Sequence, residues 1–402
     1  MPAEREAPLA GRRLWFAGIG GAGLSAYAVL AKAWGADVGG WDRVETPYLL
    51  QVRAADIPVS IGPEPDLPVD AEVIVSTAFK GLVTGRPRAE FLAELVSQRE
   101  SIVVTGAHGK TTTAAMVAFC LDRLGLHPAF LIGGEVHQLG GNAGTGEGWL
   151  VVEGDESDRS VFALEPEIAV VTNVELDHHA TFASAAELEA EFERWLERVP
   201  QVVRGEELAP AEFELAVPGD HNRRNAAAAV AAVELATGRG DEAAALLWEF
   251  TGAGRRFELR GEAAGVRVYD DYAHHPTEIE ATLATARAVA GEGRVIALFQ
   301  PHLYSRTVHL ASDFARSLAG ADHAVVTEIY PARETPWAGV SGKLVVDHLA
   351  ETRPGMPIGW APTLDDAARL AASGARSGDV LLTIGAGDVD SAGKRILELL
   401  RS

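Results

Sequence analysis

Residues 106–111 read Gly-Ala-His-Gly-Lys-Thr and directly follow a short apolar run, Ser101 to Thr105. A loop of this kind between a strand and a helix wraps backbone N–H groups around a phosphate, and its lysine reaches the terminal phosphates as a point charge. The hydroxyl of Thr111 is a suitable ligand for the Mg²⁺ that accompanies a nucleotide. The usual pattern has a glycine where this chain has Val104, but the required chemical groups are present. We therefore predict a nucleotide phosphate site here.

Acidic and histidine-containing segments follow the next two apolar runs. Residues 151–158 contain four acids within six positions, and residues 172–179 end in Asp-His-His. A carboxylate at the end of a strand, in a unit that already has a phosphate loop, is well placed to bind the metal of Mg–ATP. The alternatives are a solvated acidic turn for the first segment and, for His178, a base or a buried hydrogen-bonding residue. Beside the phosphate loop we favour metal binding by Glu153 and His178.

A second glycine-rich segment, residues 18–23, has the spacing G-x-G-x-x-G and lies between a predicted strand and a predicted helix. The glycines permit a tight turn and let backbone N–H groups approach a pyrophosphate at the helix N-terminus. Asp42 lies 19 residues beyond Gly23. The pattern is compatible with NAD, with any other nucleotide diphosphate, or with a purely structural turn.

Two further motifs, residues 270–278 and 299–307, each follow a predicted strand near the C-terminal end of the chain. Ligands of α/β sheets bind at the edge of the sheet where the carboxyl ends of the strands lie. Histidine, tyrosine and arginine side chains there could hold a carboxylate or a transferring phosphoryl group. Zinc binding by His274, His275 and His302 is an alternative. Arg306 favours an anionic ligand instead.

These motifs must be positioned by the strands and helices around them. Short apolar runs alternate with longer helical patterns along the whole chain, which predicts an α/β fold of parallel sheets covered by helices. A new strand at Ser101 and a hinge-like segment, residues 251–256, suggest three units: 1–97, 98–252 and 253–402. The glycine-rich stretch 140–148 is predicted to be a loop.

Composition narrows the function classes. The chain has 402 residues and a formal net charge of −22, so its surface disfavours nucleic acid and anionic membranes. Glycines interrupt the apolar run Leu14 to Ala31, which favours a strand, a turn and a helix over a targeting segment. The single cysteine, Cys120, excludes an intramolecular disulfide. A reducing, cytoplasmic setting fits this cysteine content.

The segments GAHGKTTT, VEGDESD, TNVELDHH, PGDHNRRN, DDYAHHPTE and FQPHLYSRT, in this order, resemble those of the bacterial Mur ligases. The likeness extends from about residue 14 to residue 390. It implies an α/β fold of three domains. The first, Rossmann-like, would bind UDP-N-acetylmuramate, the second, of the P-loop ATPase type and shortened here, would bind Mg–ATP, and the third, again Rossmann-like, would bind the incoming amino acid. The expected reaction joins L-alanine to the lactoyl carboxylate through an acyl phosphate, in peptidoglycan precursor synthesis.

The resemblance also implies roles for individual residues. Lys110, His178, His274 and Arg306 would be catalytic, and Thr111, Glu153 and His178 would hold two Mg²⁺ ions. ATP would contact Gly106, Ala107, His108, Gly109, Lys110, Thr111, Thr112, Asn222, Asn225 and Arg256. UDP would contact Gly18, Gly20, Gly21, Gly23, Leu24, Ser25, Asp42 and Ser76. The amino acid and substrate carboxylates would contact Tyr272, His274, His302 and Arg306.

Lysine occurs only at positions 32, 80, 110, 343 and 394. The middle unit therefore cannot supply the carbamylated lysine expected of Mur ligases that add later residues, which favours the alanine-adding type. Three departures stand out: a short span from His179 to Val217, Pro63 after Gly62, and Leu303. The alternatives are a ligase that adds a recycled peptide, a catalytically weak Mur-like protein and an NAD-dependent oxidoreductase. The expected partners are small molecules, and we expect a monomer or a weak homodimer.

Overall fold

The computed structural model describes residues 7–176, 181–332 and 334–401. The chain forms two compact units, one of residues 1–216 and 223–253 and the other of residues 217–222 and 254–402. The first unit contains two β-sheets and the second contains one. Among the described helices, none combines the length and the apolar character needed to cross a membrane.

The first sheet is parallel throughout, with strand order β3-β2-β1-β4-β5. Its strands are β1 Arg13–Ala17, β2 Asp37–Asp42, β3 Val59–Ile61, β4 Glu72–Val75 and β5 Arg86–Pro87, and its helices are α1 Ala22–Ala33, α2 Leu49–Ala54 and α3 Arg88–Ser97. Phe16 on β1 meets Phe91 on α3 edge to face, with ring centroids 5.6 Å apart. Such contacts pin the helices to the sheet, since each buried aromatic side chain removes a large apolar area from water.

The second sheet has the order β11-β10-β6-β9-β7-β8, and only the β7–β8 pair is antiparallel. Its strands are β6 Ser101–Thr105, β7 Ala129–Val136, β8 Gly141–Thr145, β9 Leu150–Glu153, β10 Ile168–Val171 and β11 Gln201–Arg204. Its helices are α4 Lys110–Arg123, α5 Ala185–Leu196, α6 Asp220–Thr237 and α7 Gly240–Leu246. Strand β6 is fully buried at the centre of the sheet. The loop that follows it is therefore carried by a rigid support.

The prediction of a loop over residues 140–148 is wrong, because Gly141–Thr145 form strand β8. Glycine is needed within this strand for a packing reason. A Cβ atom on Gly144 would lie 2.1 Å from the ring of Phe130 on the neighbouring strand. The missing side chains leave room for that ring, so a composition typical of loops here belongs to a sheet edge.

The span between β11 and α6 contains no strand. Residues 205–219 are all described, and their only regular element is a short 3₁₀ turn, Gly205–Glu207. This is the part of the middle domain that the sequence predicts to be shortened. Strand β11 consequently forms the edge of the second sheet.

The third sheet has the order β12-β13-β17-β14-β15-β16, and only β12–β13 is antiparallel. Its strands are β12 Glu258–Ala263, β13 Val266–Asp271, β14 Val295–Phe299, β15 His323–Thr327, β16 Ile358–Ala361 and β17 Val380–Ile384. Its helices are α8 Pro276–Ala290, α9 Tyr304–Leu318, α10 Lys343–Thr352, α11 Leu364–Gly374 and α12 Asp390–Arg401. The three sheets form a three-domain α/β fold, as predicted.

Candidate nucleotide and acyl-acceptor site

The phosphate-type loop lies at the carboxyl end of β6 and is held by the segment that follows β10. Thr172 Oγ1 donates a hydrogen bond of 2.6 Å to the carbonyl oxygen of His108. The amide of Asn173 makes two bonds of 2.9 Å to the same residue, accepting from the backbone N–H of His108 and donating to its carbonyl oxygen. The middle of the loop is thereby fixed without help from a ligand.

Two glycines of this loop have no room for a side chain. Gly106 and Gly109 have φ values of +124° and +81°, which other residues rarely adopt. A Cβ on Gly106 would lie 2.4 Å from Thr172 Oγ1, and one on Gly109 would lie 2.4 Å from Asn225 Oδ1. Asn225 of α6 thus lies against the loop, where an ATP-binding residue is expected.

The remaining predicted ATP residues have varied settings. The backbone N–H of Ala107 donates to the carbonyl oxygen of Asn173 over 3.2 Å. Thr112 is buried in the first turn of α4. Asn222 belongs to the second unit, and its amide donates to the carbonyl oxygen of Pro218 over 2.7 Å.

Lys110 is surrounded by acceptors. Its Nζ donates to the carbonyl oxygens of Gly106 at 2.6 Å and Ala107 at 3.1 Å, and it lies 3.2 Å from a carboxylate oxygen of Glu156. Burial alone would lower the pKa of Lys110, but Glu156, Asp155 and Glu153 raise it overall. The ammonium group is therefore charged and held inside the phosphate loop.

Thr111 and Glu153, both predicted metal ligands, meet directly. Thr111 Oγ1 donates to Glu153 Oε1 over 2.8 Å, and the backbone N–H of Gly133 donates to Glu153 Oε2 over 2.6 Å. A hydroxyl and a carboxylate are hard oxygen donors of the kind that Mg²⁺ prefers. This pair of donors fits a magnesium ion, and the N–H of Gly133 orients the carboxylate of Glu153. His178 lies outside the described residues, so its predicted role stays a prediction.

The glycine turn at residues 18–23 is ordered by Asp42 at the end of β2. One carboxylate oxygen of Asp42 accepts from the backbone N–H of Gly20 at 2.8 Å, and the other accepts from that of Arg43 at 2.7 Å. The acid is 7% exposed. In this arrangement its carboxylate holds the backbone of the turn in place.

The rest of the turn is close-packed. Gly18 has φ +93°, and a Cβ on it would lie 2.8 Å from the side chains of both Ser76 and Phe79. The backbone N–H of Gly21 bonds to the carbonyl oxygen of Gly18 at 3.1 Å. Leu24 and Ser25 are buried in the first turn of α1. Helix α1 therefore begins at a rigid turn of the type that binds pyrophosphate.

The helix that follows the glycine turn packs on the sheet that carries the phosphate loop, within one compact unit. Asn142 on β8 donates its amide to the carbonyl oxygen of Ala22 over 3.2 Å. Arg88 pairs with Asp158 at 3.0 Å, and its Nη1 would lie 3.2 Å from a Cβ on Gly23. One arginine thus spans the distance between the glycine turn and the acidic segment after β9.

Tyr27 of α1 shares this environment. Burial raises the pKa of Tyr27 to about 12, an effect that the positive charge of Arg88 partly offsets. The charges of Asp158, Asp155 and Glu153 raise the pKa further. The acidic segment after β9 therefore acts electrostatically on a side chain of α1.

In the second unit, three predicted substrate residues form a chain of ring contacts. The rings of Tyr272 and His274 have centroids 5.4 Å apart, and those of His274 and His302 have centroids 6.2 Å apart. His302 also stacks on Tyr330. Within the described part of this unit, the ligand atoms of His274, His275 and His302 do not converge on one point as a zinc site requires.

The predicted arginines have different surroundings. The guanidinium of Arg256 lies 5.2 Å from the centre of the Tyr272 ring. Glu278 accepts from the backbone N–H of His274 at 2.9 Å and lies 4.0 Å from Arg256. Arg306 lies in the first turn of α9 and is partly buried. Tyr272, His274 and Arg256 thus form one cluster.

Two of the departures noted in the sequence have a structural setting. Leu303 has φ +68° and directly precedes α9, and its backbone N–H donates to the carbonyl oxygen of Tyr330 over 2.9 Å. Pro63 follows Gly62, whose backbone N–H donates to the carbonyl oxygen of Asp42 over 3.1 Å. Both positions adjoin predicted ligand-binding segments.

The sequence analysis did not single out several residues of the site. Asn173 and Glu156 lay inside the motifs, where an amide beside a phosphate loop and a second acid could have been singled out. Nothing in the sequence pointed to Gly133 or Arg88. Their contacts join positions 20 and 70 apart in the chain, and spacing alone does not reveal such pairs.

Comparison with known proteins agrees with this arrangement. The family profile "Mur ligase middle domain" matches residues 104–204, and "Mur ligase, glutamate ligase domain" matches residues 255–387. A UDP-N-acetylmuramate–L-alanine ligase of Rubrobacter xylanophilus is 41% identical, with 95% of this chain and 99% of that protein covered. A ligase of the same name from Kineococcus radiotolerans is also 41% identical, with 96% of each chain covered.

Solved structures give the same picture. The UDP-N-acetylmuramate–alanine ligase MurC of Thermotoga maritima superposes with a TM-score of 0.81 at 27% identity, covering 96% of this chain and 98% of that one. A murein peptide ligase of Psychrobacter arcticus, at 24% identity and a TM-score of 0.65, shares the fold. The chain belongs to the Mur ligase family. The alignment with the Rubrobacter protein spans 444 positions, more than the 402 residues present here, so that relative carries segments that this chain lacks.

Proposed function

We propose that this protein joins L-alanine to the lactoyl carboxylate of UDP-N-acetylmuramate at the expense of ATP, in peptidoglycan precursor synthesis. The observation that carries the proposal is the joint presence, in one compact unit, of a phosphate loop with an adjoining Thr111–Glu153 pair and a separate glycine turn. Arg88 and Asn142 link the two. A simple dehydrogenase has no use for the second loop.

The chemistry needs two steps. A carboxylate resists nucleophilic attack because of its charge, so its oxygen first attacks the γ-phosphorus of ATP, which forms an acyl phosphate and releases ADP. The amine of L-alanine then attacks the acyl carbon, and phosphate leaves from the tetrahedral intermediate. Positioning of the reactants can contribute about 7–11 kcal/mol to the lowering of the barrier, and cationic groups stabilise the charge that develops.

Residues of the first unit would serve the phosphoryl transfer. Lys110 is held at the loop by Glu156, and its ammonium group would pair with the β- and γ-phosphates. Asn225 would lie beside the nucleotide. Thr111 and Glu153 would hold Mg²⁺, with His178 assigned to a second ion. When bound, magnesium supplies neutralisation of phosphate charge. The glycine turn and the first turn of α1 would bind the UDP diphosphate.

Residues of the second unit would serve the acyl acceptor. Tyr272, His274 and His302 form a chain of ring contacts that would bind the amino acid, and Arg306 would pair with a carboxylate. Arg256 would contact ATP. The boundaries 1–97, 98–252 and 253–402 remain our proposal for the domains, and a monomer or weak homodimer remains our proposal for the assembly.

The test is phosphate release from Mg–ATP in the presence of UDP-N-acetylmuramate. Release should require L-alanine, and the product should be the alanyl conjugate by mass spectrometry. A tripeptide in place of L-alanine tests the recycling alternative, and nicotinamide fluorescence tests NAD binding. Folded protein that binds the UDP-sugar but releases no phosphate would establish the catalytically weak alternative instead.

A further inference from the structure

Helix α9 carries Arg306 in its first turn, and its own N-cap residue does not cap it. That residue is Leu303, whose side chain makes no capping hydrogen bond. The first N–H groups of a helix have no acceptor within the helix, and leaving such groups unbonded away from water costs free energy. An acceptor for them has to come from another part of the chain.

Glu334, in the segment that follows β15, is that acceptor. One of its carboxylate oxygens accepts from the backbone N–H of Ser305 at 3.0 Å, and the other accepts from the hydroxyl of Ser305. The backbone N–H of Tyr304 donates to the same carboxylate. Ser305 and Glu334 are 29 positions apart. Glu334 therefore caps α9 from a neighbouring segment of the same unit.

The segments that follow β14 and β15 are joined at a second place. The backbone N–H of Leu303 donates to the carbonyl oxygen of Tyr330 over 2.9 Å, and that of Tyr330 donates to Pro301 over 2.8 Å. His302 lies between these bonds and stacks on Tyr330, with ring centroids 5.8 Å apart. The φ of +68° at Leu303 is uncommon for a leucine and persists where contacts impose it. The backbone from Pro301 to Ser305 is thus fixed by the other segment.

The charge of Glu334 is consistent with this capping role. Burial alone would raise the pKa of Glu334. Hydrogen bonds from Ser305 and Tyr304, together with the positive charge of His302, lower that pKa overall. The dipole of a helix also favours a negative charge at its N-terminus. Glu334 is therefore ionised where it meets α9.

We propose that Glu334 is a positioning residue for the acyl acceptor, which caps α9 and thereby holds Arg306 where it pairs with the carboxylate of the incoming amino acid. Arg306 follows Ser305 directly, so a shift of the first turn of α9 displaces both. A paired contact between a guanidinium and a carboxylate needs a fixed geometry, whereas a lysine ammonium on its flexible stem tolerates displacement. The inference rests on the proposed function, which assigns Arg306 to a carboxylate.

The experiment measures kcat and the KM of each substrate for full-length Glu334→Ala. We expect KM for L-alanine to rise about tenfold or more, while KM for ATP and for UDP-N-acetylmuramate changes less than about twofold. Glu334→Gln keeps an oxygen that can accept from the N–H of Ser305. Its KM for L-alanine should therefore stay within about threefold of the wild type.

The change Glu334→Ala is then repeated in an Arg306→Lys background. The lysine keeps the positive charge but not the paired contact. The loss of kcat/KM for L-alanine should be about tenfold in the wild type and less than about twofold in this background. A glutamate that only stabilises the fold would lower both by the same factor.

The matched control is Asp322→Ala. The carboxylate of Asp322 also accepts a backbone N–H from another segment, that of Val295 at 2.8 Å, and it accepts from Arg287 at 2.6 Å. This contact lies at the amino end of β14, whereas Ser305 follows the carboxyl end. Loss of Asp322 should lower the unfolding temperature to a similar degree and change KM for L-alanine less than about twofold.

If Glu334→Ala does not fold, Ser305→Ala removes one donor and leaves the backbone N–H groups bonded to Glu334. That variant should raise KM for L-alanine about threefold in the wild type and not in the Arg306→Lys background. Equal rises in KM for all three substrates, or equal losses in both backgrounds, would overturn the proposal. A control that raises KM for L-alanine as much as Glu334→Ala would overturn it as well.

Two further measurements keep the positioning role separate from the proposed function. Wild-type phosphate release that requires L-alanine is measured first, and its absence would refute the proposed function. Urea unfolding of Ser305→Ala, Glu334→Ala and the double variant needs no turnover. The two changes should not be additive, because the residues are in contact. Additive losses would refute the cap, whatever the activity.

Discussion

The ion pair between Lys110 and Glu156 allows an effect on stability to be distinguished from an effect on catalysis. Glu156 is 2% exposed, and Lys110 Nζ is its partner at 3.2 Å. Removing one member of a buried ion pair leaves an uncompensated charge and costs about 3–5 kcal/mol. We therefore expect Lys110→Met to lower the free energy of unfolding by about that amount, in addition to abolishing turnover.

Adding Glu156→Gln to Lys110→Met should restore stability but not turnover. In the double variant with Lys110→Met and Glu156→Gln, no buried charge is left unpaired, so most of the lost stability should return. Turnover should not return, because no ammonium group reaches the phosphates. Glu156→Gln alone should cost about 1–2 kcal/mol, since Lys110 keeps its two carbonyl acceptors.

Urea denaturation and phosphate release measure the two quantities. Lys394→Met, on an exposed position of α12, is the control for the substitution itself and should change the unfolding free energy by less than about 0.5 kcal/mol. If Lys110→Met is as stable as the wild type, the loss of Lys110 does not leave a costly unpaired charge on Glu156. If the double variant is no more stable than Lys110→Met, the reasoning about Glu156 is refuted.

Three other expectations follow from single positions. Gly106→Ala forces φ +124° on an alanine and brings its Cβ to 2.4 Å from Thr172 Oγ1, so it should lose ATP binding in calorimetry and about 1–3 kcal/mol of stability. Burial raises the pKa of Asp271 from 3.8 to about 6, so the native state holds this proton more tightly. Its contribution is complete below about pH 4, and up to about 3 kcal/mol is lost as the pH rises through 6, a dependence that Asp271→Asn should remove from urea midpoints. Arg88→Met breaks the pair with Asp158 and should raise KM for UDP-N-acetylmuramate about tenfold while KM for ATP changes less.

Each of these has an outcome that counts against it. Normal ATP affinity in Gly106→Ala would mean that the loop tolerates a side chain. Identical pH profiles of stability for the wild type and Asp271→Asn would show that the acid titrates at its ordinary value. For Arg88, the control is Arg53→Met, whose ion pair with Glu45 is exposed. Equal changes in KM for both arginine variants would remove the specific role of Arg88.

The order of the elements and the chemistry of the loops were predictable from the sequence. Strand β6 has the same boundaries as the apolar run Ser101–Thr105 noted in the sequence, because a continuous apolar run before a polar turn is typical of a buried parallel strand. The pairing of Thr111 with Glu153 was also predictable. Adjacent parallel strands end at the same edge of a sheet, so motifs that follow them must meet.

Other features were decided only in three dimensions. Strand β8 exists because Gly144 leaves room for Phe130, a relation invisible in a composition typical of loops. The carboxylate of Asp42 accepts from the backbone N–H of Gly20, a contact across 22 positions that spacing does not reveal.

The sequence by itself determined the order of strands and helices and the local chemistry of each loop, since apolar periodicity and turn residues act over a few neighbouring positions. Tertiary structure decided which charges face one another, such as Arg88 and Asp158 or Arg255 and Asp270. Those pairs depend on the packing of elements that are distant in the chain, and the packing follows from side-chain volumes and close contacts rather than from spacing.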